Sequence, residues 1–229
     1  MDEQMTTLTD KAQRTRERIF ETALALFVEH GYEQTTMRDI ANAAGCSLGL
    51  AYRYFESKED MVFTLYERLA AEQAEQVRDM PPAPLWQRFD RVMNAKLADL
   101  QPYRDAFGAL FWAALNPRSR VAVLGADTAQ IRKAVGEVFT TVVLGATDAP
   151  REAQAKQMAS VLYGVHLAVI LFWLYDPTPG QVATRQLLTL IRDLLKPARR
   201  LLRIPFVSNA LARLASAIEP VFGSGEQTA

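Results

Sequence analysis

TTMRDIANAAGCSLGLAYRYFESK, residues 35–58, is the stretch that decides the fold class of this chain. Thr36 and Asp39 have the spacing of a helix cap followed by a capping-box acid. Gly45 comes directly after the last apolar position, where a left-handed residue commonly ends a helix. The apolar positions between them fall on one helix face, at Met37, Ile40, Ala41 and Ala44. The stretch therefore predicts a short amphipathic helix that ends in a tight turn.

A second short helix is predicted immediately after this turn, with Ser47 as its cap. The expected inward residues are Cys46, Ala51 and Phe55. The expected outward residues are Leu48, Gly49, Leu50, Tyr52 and Arg53. A helix of this length with aromatic, basic and small residues outward fits the major groove of DNA. The two helices together predict a helix-turn-helix.

Residues 14–68 resemble the DNA-binding domain of the TetR family of bacterial transcriptional regulators. The segments GYEQTTMRDIANAAGCS and LAYRYFESKEDM carry the resemblance. The matching residues are Ile19, Ala23, Phe27, Gly31, Tyr32, Thr35, Thr36, Ile40, Ala41, Ala44, Gly45, Ser47, Gly49, Tyr52, Tyr54, Phe55, Ser57 and Lys58. The resemblance covers about a quarter of the chain and implies a ligand-responsive, homodimeric DNA-binding regulator.

The candidate DNA contacts lie on the two short helices and at the start of the next one. Arg53 can bond guanine bidentately or contact phosphate alone, and the two tyrosines can contact DNA or serve as packing aromatics. The resemblance implies phosphate contacts at Thr36 and Lys58. Glycine inside a helix is unfavourable by about 1 kcal/mol, so Gly49 suggests a close approach to DNA. The complete set is Thr36, Ser47, Leu48, Gly49, Leu50, Tyr52, Arg53, Tyr54 and Lys58. The family often has polar residues where Leu48 and Leu50 stand, which leaves the sequence preference open.

Charge and composition indicate the cellular compartment of the protein more clearly than its function. The net charge is zero, so a global basic footprint of DNA binding is absent. A single cysteine, Cys46, excludes an intramolecular disulfide and suits a reducing compartment. The acidic N-terminus lacks the apolar region of a secretory signal, and the apolar run at 161–175 is too short for a comfortable membrane span. We therefore expect a cytoplasmic protein with no membrane partner.

The spacing of apolar residues and helix breakers predicts an all-α protein. We expect a helix-turn-helix DNA-binding domain at 11–60, built from three helices, and a connecting helix at 61–80 that ends at the PPAP break. A C-terminal helical domain for ligand binding and dimerisation should occupy 81–222, followed by a disordered tail at 223–229. The apolar helix at 151–175 and the amphipathic helix at 181–196 are the predicted dimer interface. An apolar helix needs cover, and the resemblance implies a four-helix bundle between two copies.

Aromatic residues at helical spacing in the C-terminal half have two interpretations: an ordinary core, or the lining of a pocket for a small hydrophobic inducer, as the resemblance implies. Arg104 and His166 would be polar anchors in such a pocket. The candidate lining is Met93, Leu97, Tyr103, Arg104, Phe107, Phe111, Trp112, Phe139, Val143, Tyr163 and His166.

The leading hypothesis is a homodimeric repressor that a small hydrophobic inducer releases from a palindromic DNA operator. Activation in place of repression remains open. The alternative is a helical lipid- or small-molecule-binding interaction protein. An enzyme is disfavoured, because the chain has one cysteine, two distant histidines and no glycine-rich phosphate loop. No catalytic residue, metal site or cofactor is predicted.

Overall fold

The computed structural model describes residues 10–222, and side chains as far as residue 219. Over this range the chain is helical and contains no named strand, which confirms the all-α prediction. The tail predicted at 223–229 lies outside the described residues. The helices are α1 (Asp10–His30), α2 (Met37–Ala43), α3 (Leu48–Tyr54), α4 (Lys58–Arg78), α5 (Leu85–Leu100), α6 (Arg104–Leu115), α7 (Ala129–Leu144), α8 (Glu152–Tyr175), α9 (Val182–Leu195), α10 (Ala198–Leu201) and α11 (Pro205–Phe222).

The first three helices follow from local capping signals and one shared apolar face. Thr36 caps α2 through a complete capping box with Asp39, and Ser47 caps α3 by accepting a bond from the Leu50 amide. Gly45 has a φ of 62°, the left-handed conformation that the turn between these helices requires. The helices bury an N-terminal core, which is centred on Phe20, Phe27, Ile40, Ala51, Phe55 and Leu65.

Helix α4 connects two cores. Met61, Leu65 and Leu69 belong to the N-terminal core, whereas Ala70 and Val77 face a C-terminal core. The C-terminal core is centred on Phe89, Met93, Phe139, Leu162 and Leu188. Helix α4 therefore contributes side chains to both cores.

Arg88 fixes the far end of α4 to the C-terminal helices. Its guanidinium donates to the carbonyls of Met80 and Pro81, which follow α4, and to those of Thr141 and Val142 in the last turn of α7. Burial lowers the pKa of Arg88, but an arginine remains charged at neutral pH. Through these four hydrogen bonds Arg88 joins the segment that follows α4 to the last turn of α7.

The N-terminal core extends beyond the predicted boundary near residue 80. Leu100, Leu110 and Trp173 are buried in it although they lie far along the chain. Helix α6 packs directly on α1. The helix-turn-helix therefore shares its core with helices that follow α4 in the chain.

Helix α8 is the centre of the C-terminal half. It packs against α6, α7, α9 and α11. With 24 residues it is long and apolar enough, by length and composition, to cross a membrane. The prediction that this segment is too short for a membrane span considered only residues 161–175, whereas the helix begins at Glu152. Its eight buried residues, among them His166 and Trp173, are packed inside the protein, as in the core helix of a globular fold.

Candidate nucleic-acid interface and regulatory domain

Helix α3 is anchored by its inner face and leaves its outer face open. Ala51 and Phe55 are fully buried, and the Phe55 ring stacks with Phe20 of α1 at a centroid distance of 6.4 Å. On the opposite side Gly49, Tyr52 and Arg53 are exposed, with 50% of the Tyr52 surface accessible. The arrangement presents one aromatic and one basic side chain on a rigid helix.

The three remaining candidates on α3 are half-buried. Leu48 and Tyr54 pack against the N-terminal core, and Leu50 is intermediate in exposure. Cys46, predicted to be inward, is also partly buried against this core. Leu48, one of the two leucines that depart from the family pattern, therefore has a packing role.

Both capping residues are exposed, and their polar groups already have partners. The Thr36 amide and hydroxyl donate to Asp39 Oδ2 at 3.0 and 2.6 Å, and these bonds lower the pKa of the Asp39 carboxyl. A carboxylate therefore occupies the positive end of α2. A phosphate at this end would have to be met by other amides of the first turn.

Lys58 is held within the protein more firmly than the sequence suggested. Its Nζ donates to the carbonyls of Tyr32 and Glu33 at 2.8 and 3.4 Å and lies 4.2 Å from the centre of the Tyr32 ring. The Tyr32 hydroxyl in turn donates to Glu59. Because an ammonium has three donors, one N–H remains for a phosphate. Lys58 thus joins the start of α4 to the turn before α2.

The candidate inducer residues do not gather around one site. Met93, Leu97, Phe139, Val143, Tyr163 and His166 line the C-terminal core, where the Phe139 ring lies 5.0 Å from His166 and 6.2 Å from Tyr163. Tyr103 and Phe107 pack against the N-terminal core instead. Phe111 forms an edge contact with Tyr175 at 4.9 Å. Trp112 is 78% exposed. A single pocket cannot use all eleven residues.

Arg104 has a structural partner that the sequence did not reveal. Its guanidinium donates to the carbonyls of Trp173, Leu174 and Asp176 at the end of α8 and lies over the Trp173 ring at 5.6 Å. A cation at the C-terminus of a helix is favourable because the last carbonyls lack helical partners. Arg104 therefore ties α6 to the end of α8.

Two buried polar residues on α4 and α5 were absent from the predicted site. Gln73 of α4 and Lys96 of α5 are both buried. Lys96 stands on the apolar stripe of α5 with Phe89, Val92, Met93 and Leu100. A lysine at a core position of an otherwise apolar helix face was the signal that could have identified it.

Among the described residues, no group of three or more His, Cys, Asp or Glu side chains has the arrangement of a metal site. Open clefts occur elsewhere, one of about 520 Å³ between the start of α1 and Arg68 of α4. Glu17 and Arg68 form a two-bond ion pair in this cleft, which lowers the pKa of Glu17. The pair joins α1 to α4.

Comparison with known proteins assigns the helix-turn-helix. Residues 19–65 match the family described as bacterial regulatory proteins, tetR family. This part of the chain is a DNA-binding domain of the TetR family. The chain is 43% identical over 51 residues to the probable acrEF/envCD operon repressor of Escherichia coli K12, which covers 22% of this chain and 23% of the relative. It is 29% identical over 108 residues, 47% of each chain, to the transcriptional repressor KstR2 of Mycolicibacterium smegmatis.

The sequence similarity to curated proteins covers only part of each relative. The matches span about a quarter to a half of the relatives' length. Solved structures extend the likeness in fold. A TetR regulator from Nitrosomonas europaea covers 80% of this chain and 98% of its own, with a TM-score of 0.59 and 20% identity. One from Streptomyces coelicolor covers 90% and 89%, with a TM-score of 0.60 and 22% identity.

Proposed function

We propose that this TetR-family chain is a homodimeric, cytoplasmic transcriptional repressor that binds a palindromic operator and is released by a small hydrophobic inducer. The observation that carries the proposal is the open face of α3, where Gly49, Tyr52 and Arg53 are exposed on a helix whose other side is fixed in a core. A rigid, outward-facing helix of this composition suits the major groove. We assign base reading to Arg53 and Tyr52, and propose no catalytic activity.

The remaining candidates would position the helix on the phosphate backbone. Lys58, with its spare N–H, and the helix ends capped by Thr36 and Ser47 are the proposed phosphate contacts. Tyr54, Leu48 and Leu50 are half-buried. We propose that these three mainly support the helix and offer edge or methyl contacts to DNA.

Dimerisation through α8 and α9 is supported by their exposed apolar side chains. Leu171, Phe172 and Tyr175 are exposed in the last turns of α8, and Leu190 and Leu194 are exposed on α9. Large apolar residues grouped on one helix pair are typical of a covered surface. We propose that 151–175 and 181–196 form a four-helix bundle with a second copy.

Coupling between inducer and DNA would run through α4, since this helix contributes to both cores. An inducer that prefers a C-terminal core with a displaced α4 would move the recognition helices away from their half-site spacing, and its differential affinity sets the response. A similarly folded repressor, FadR of Thermus thermophilus, has been crystallised with lauroyl-CoA (TM-score 0.54, 21% identity). The fold thus accommodates an acyl ligand in at least one protein.

Selection from a random duplex library tests the proposal. We expect the enriched DNA to contain two inverted half-sites, because each protomer of a twofold dimer presents one α3. Binding should weaken steeply with salt, as phosphate contacts release counterions. Enrichment of no sequence would reject operator binding and favour the alternative, a helical lipid- or small-molecule-binding interaction protein.

Gly49→Ala should have effects of opposite sign on stability and on DNA binding. A Cβ at this position meets no atom within 4 Å, so alanine should stabilise the free protein by about 0.5–1 kcal/mol. The same methyl group would hold the α3 backbone away from DNA, and we expect about tenfold weaker operator binding. Thermal unfolding and fluorescence anisotropy measure the two effects.

Gly136→Ala is the matched control for this variant. Gly136 also lies inside a helix, α7, and its Cβ would also meet no atom within 4 Å. This variant should gain similar stability with unchanged operator affinity. Undiminished DNA binding by Gly49→Ala would remove Gly49 from the proposed interface.

A further inference from the structure

The C-terminal core encloses a cation that has no acidic partner. Lys96 is only 5% exposed, and its Nζ donates to the Leu69 carbonyl of α4 at 3.0 Å. No ion pair of Lys96 occurs among residues 10–219. Asp99 and Glu72 act on it only through space, and burial lowers its pKa to about 8. Lys96 is therefore still mostly charged at neutral pH.

Two further buried polar side chains, on α4 and α8, have unused hydrogen-bonding groups. Both imidazole nitrogens of His166, on α8, and both amide atoms of Gln73, on α4, are buried with no hydrogen bond of good geometry. The Tyr163 carbonyl, one turn earlier in α8, favours the charged imidazole, but burial dominates and lowers the His166 pKa to about 3. His166 is therefore neutral, with one N–H to donate and one nitrogen to accept.

Lys96 interacts with groups on two neighbouring helices, α4 and α8. Lys96 is close enough to His166 for its charge to lower the histidine pKa. Gln73 lies one turn beyond Leu69, whose carbonyl accepts the Lys96 bond. Apolar neighbours enclose this region, with Met93 and Phe139 fully buried and the Phe139 ring 5.0 Å from His166. Lys96, His166 and Gln73 thus place one cation and several hydrogen-bonding groups inside an apolar core.

Such an arrangement disfavours the unliganded protein. A buried charge without a counterion is unfavourable, and each unpaired buried polar group adds a further penalty. An apolar side chain at position 96 would pack in this core without that penalty. The groups would be satisfied together by one added anion that accepts from Lys96, from Gln73 and from the His166 N–H.

We propose that the inducer is an amphipathic organic anion whose carboxylate binds Lys96, Gln73 and His166 while its apolar body lies beside Met93 and Phe139. The assignment rests on the proposed function, since it names the chemical class of the inducer. A carboxylate suits the set because it has acceptor positions for several donors at once. An alcohol or amine of the same shape would leave the lysine charge without a counterion.

The same contacts provide the link to DNA binding. In the unliganded protein Lys96 holds α4 through the Leu69 carbonyl. Because an ammonium has three donors, a bound carboxylate can accept from Lys96 beside the Leu69 carbonyl, and it can also accept from Gln73 on the next turn of α4. The anion would therefore add a second link between α5 and α4, and the rearrangement of these side chains around it would shift the helix that contributes to both cores.

Calorimetric titration of the whole protein with matched probes tests the ligand class. Decanoate and 1-naphthoate, each paired with its alcohol, are titrated at neutral pH below micelle-forming concentrations. We expect at least one acid to bind about tenfold or more tightly than its alcohol, the ratio expected for one charge-assisted hydrogen bond. Equal affinities for acid and alcohol, or no binding of either acid, would overturn the assignment. This comparison needs no variant.

Lys96→Met then tests the residue. It should weaken binding of the acid about tenfold or more, leave binding of the alcohol unchanged, and melt no lower than the wild type because it removes a buried charge. Lys133→Met, at an exposed position of α7, should bind both probes as the wild type does. Unchanged acid binding by Lys96→Met would overturn the role of Lys96. A lower melting temperature together with an equal loss of binding of both probes would also overturn it, because Lys96 would then have only a structural role.

Operator release separates this inference from the proposed function. The preferred acid should release operator DNA from the wild type and from Lys133→Met, but not from Lys96→Met. Acid binding without any operator binding would reject the repressor and keep the anion site. Operator binding without acid preference would keep the repressor and reject the anion.

Discussion

Leu194→Glu should convert the protein to monomers and reduce operator affinity at least about hundredfold. Leu194 is 64% exposed in the protomer, so a carboxylate there stays in water and the monomer should fold normally. In the proposed four-helix bundle the same carboxylate would be buried without a partner. An uncompensated buried charge disfavours such a state by about 3–5 kcal/mol, and twofold symmetry introduces two of them. Sedimentation and anisotropy measure the two losses.

Leu144→Glu is the control for charge on an exposed leucine. Leu144 ends α7, outside the proposed interface, and is comparably exposed. This variant should remain dimeric and bind operator normally. A wild type that sediments as a monomer at micromolar concentration, or a Leu194→Glu variant that stays dimeric, would exclude α9 from the interface.

The elements that sequence reasoning predicted best are those that local chemistry determines. The Thr36–Asp39 capping box, the left-handed Gly45 and the Ser47 cap all involve residues within a few positions of one another. Their spacing alone fixes both ends of α2 and the start of α3. The apolar periodicity then determines which face is buried, as Ala51 and Phe55 demonstrate.

Long-range contacts were outside the reach of that reasoning. Lys58 was predicted to face phosphate, yet it also bonds backbone carbonyls 25 and 26 residues away. Arg104 was a candidate pocket anchor, yet it bonds carbonyls about 70 residues away at the end of α8. Each side chain is long and cationic, and only the packing of distant helices decides which acceptor it meets.

The candidate pocket illustrates the same limit for apolar residues. Phe107, Phe111 and Trp112 are all aromatic residues of α6, but their surroundings differ. Phe107 stacks with Tyr66 of α4 at 6.1 Å, Phe111 meets Tyr175 of α8, and Trp112 is exposed. Helical spacing identifies an apolar surface, whereas the identity of the element that covers it depends on the tertiary arrangement.

Trp173 of α8 is buried in the N-terminal core, although it lies in the C-terminal half of the chain. It lies near the end of α8 and is 1% exposed within the core that holds Phe20 and Phe55. The guanidinium of Arg104 covers its ring. Because α6 also packs on α1, the helix-turn-helix is supported by residues from distant parts of the chain.

Trp173→Ala should therefore destabilise the whole protein by about 3–5 kcal/mol, the usual effect of truncating a large buried aromatic side chain. Trp112→Ala is the control: Trp112 is mostly exposed on α6, and its loss should shift the denaturation midpoint little. Urea unfolding followed by circular dichroism measures both variants, and operator binding shows whether α3 loses its support. If the DNA-binding helices and the C-terminal helices folded independently, Trp173→Ala would split the unfolding curve and leave the helix-turn-helix transition unchanged. A single transition, displaced to lower urea together with weaker DNA binding, would establish that the shared core holds the recognition helix in position.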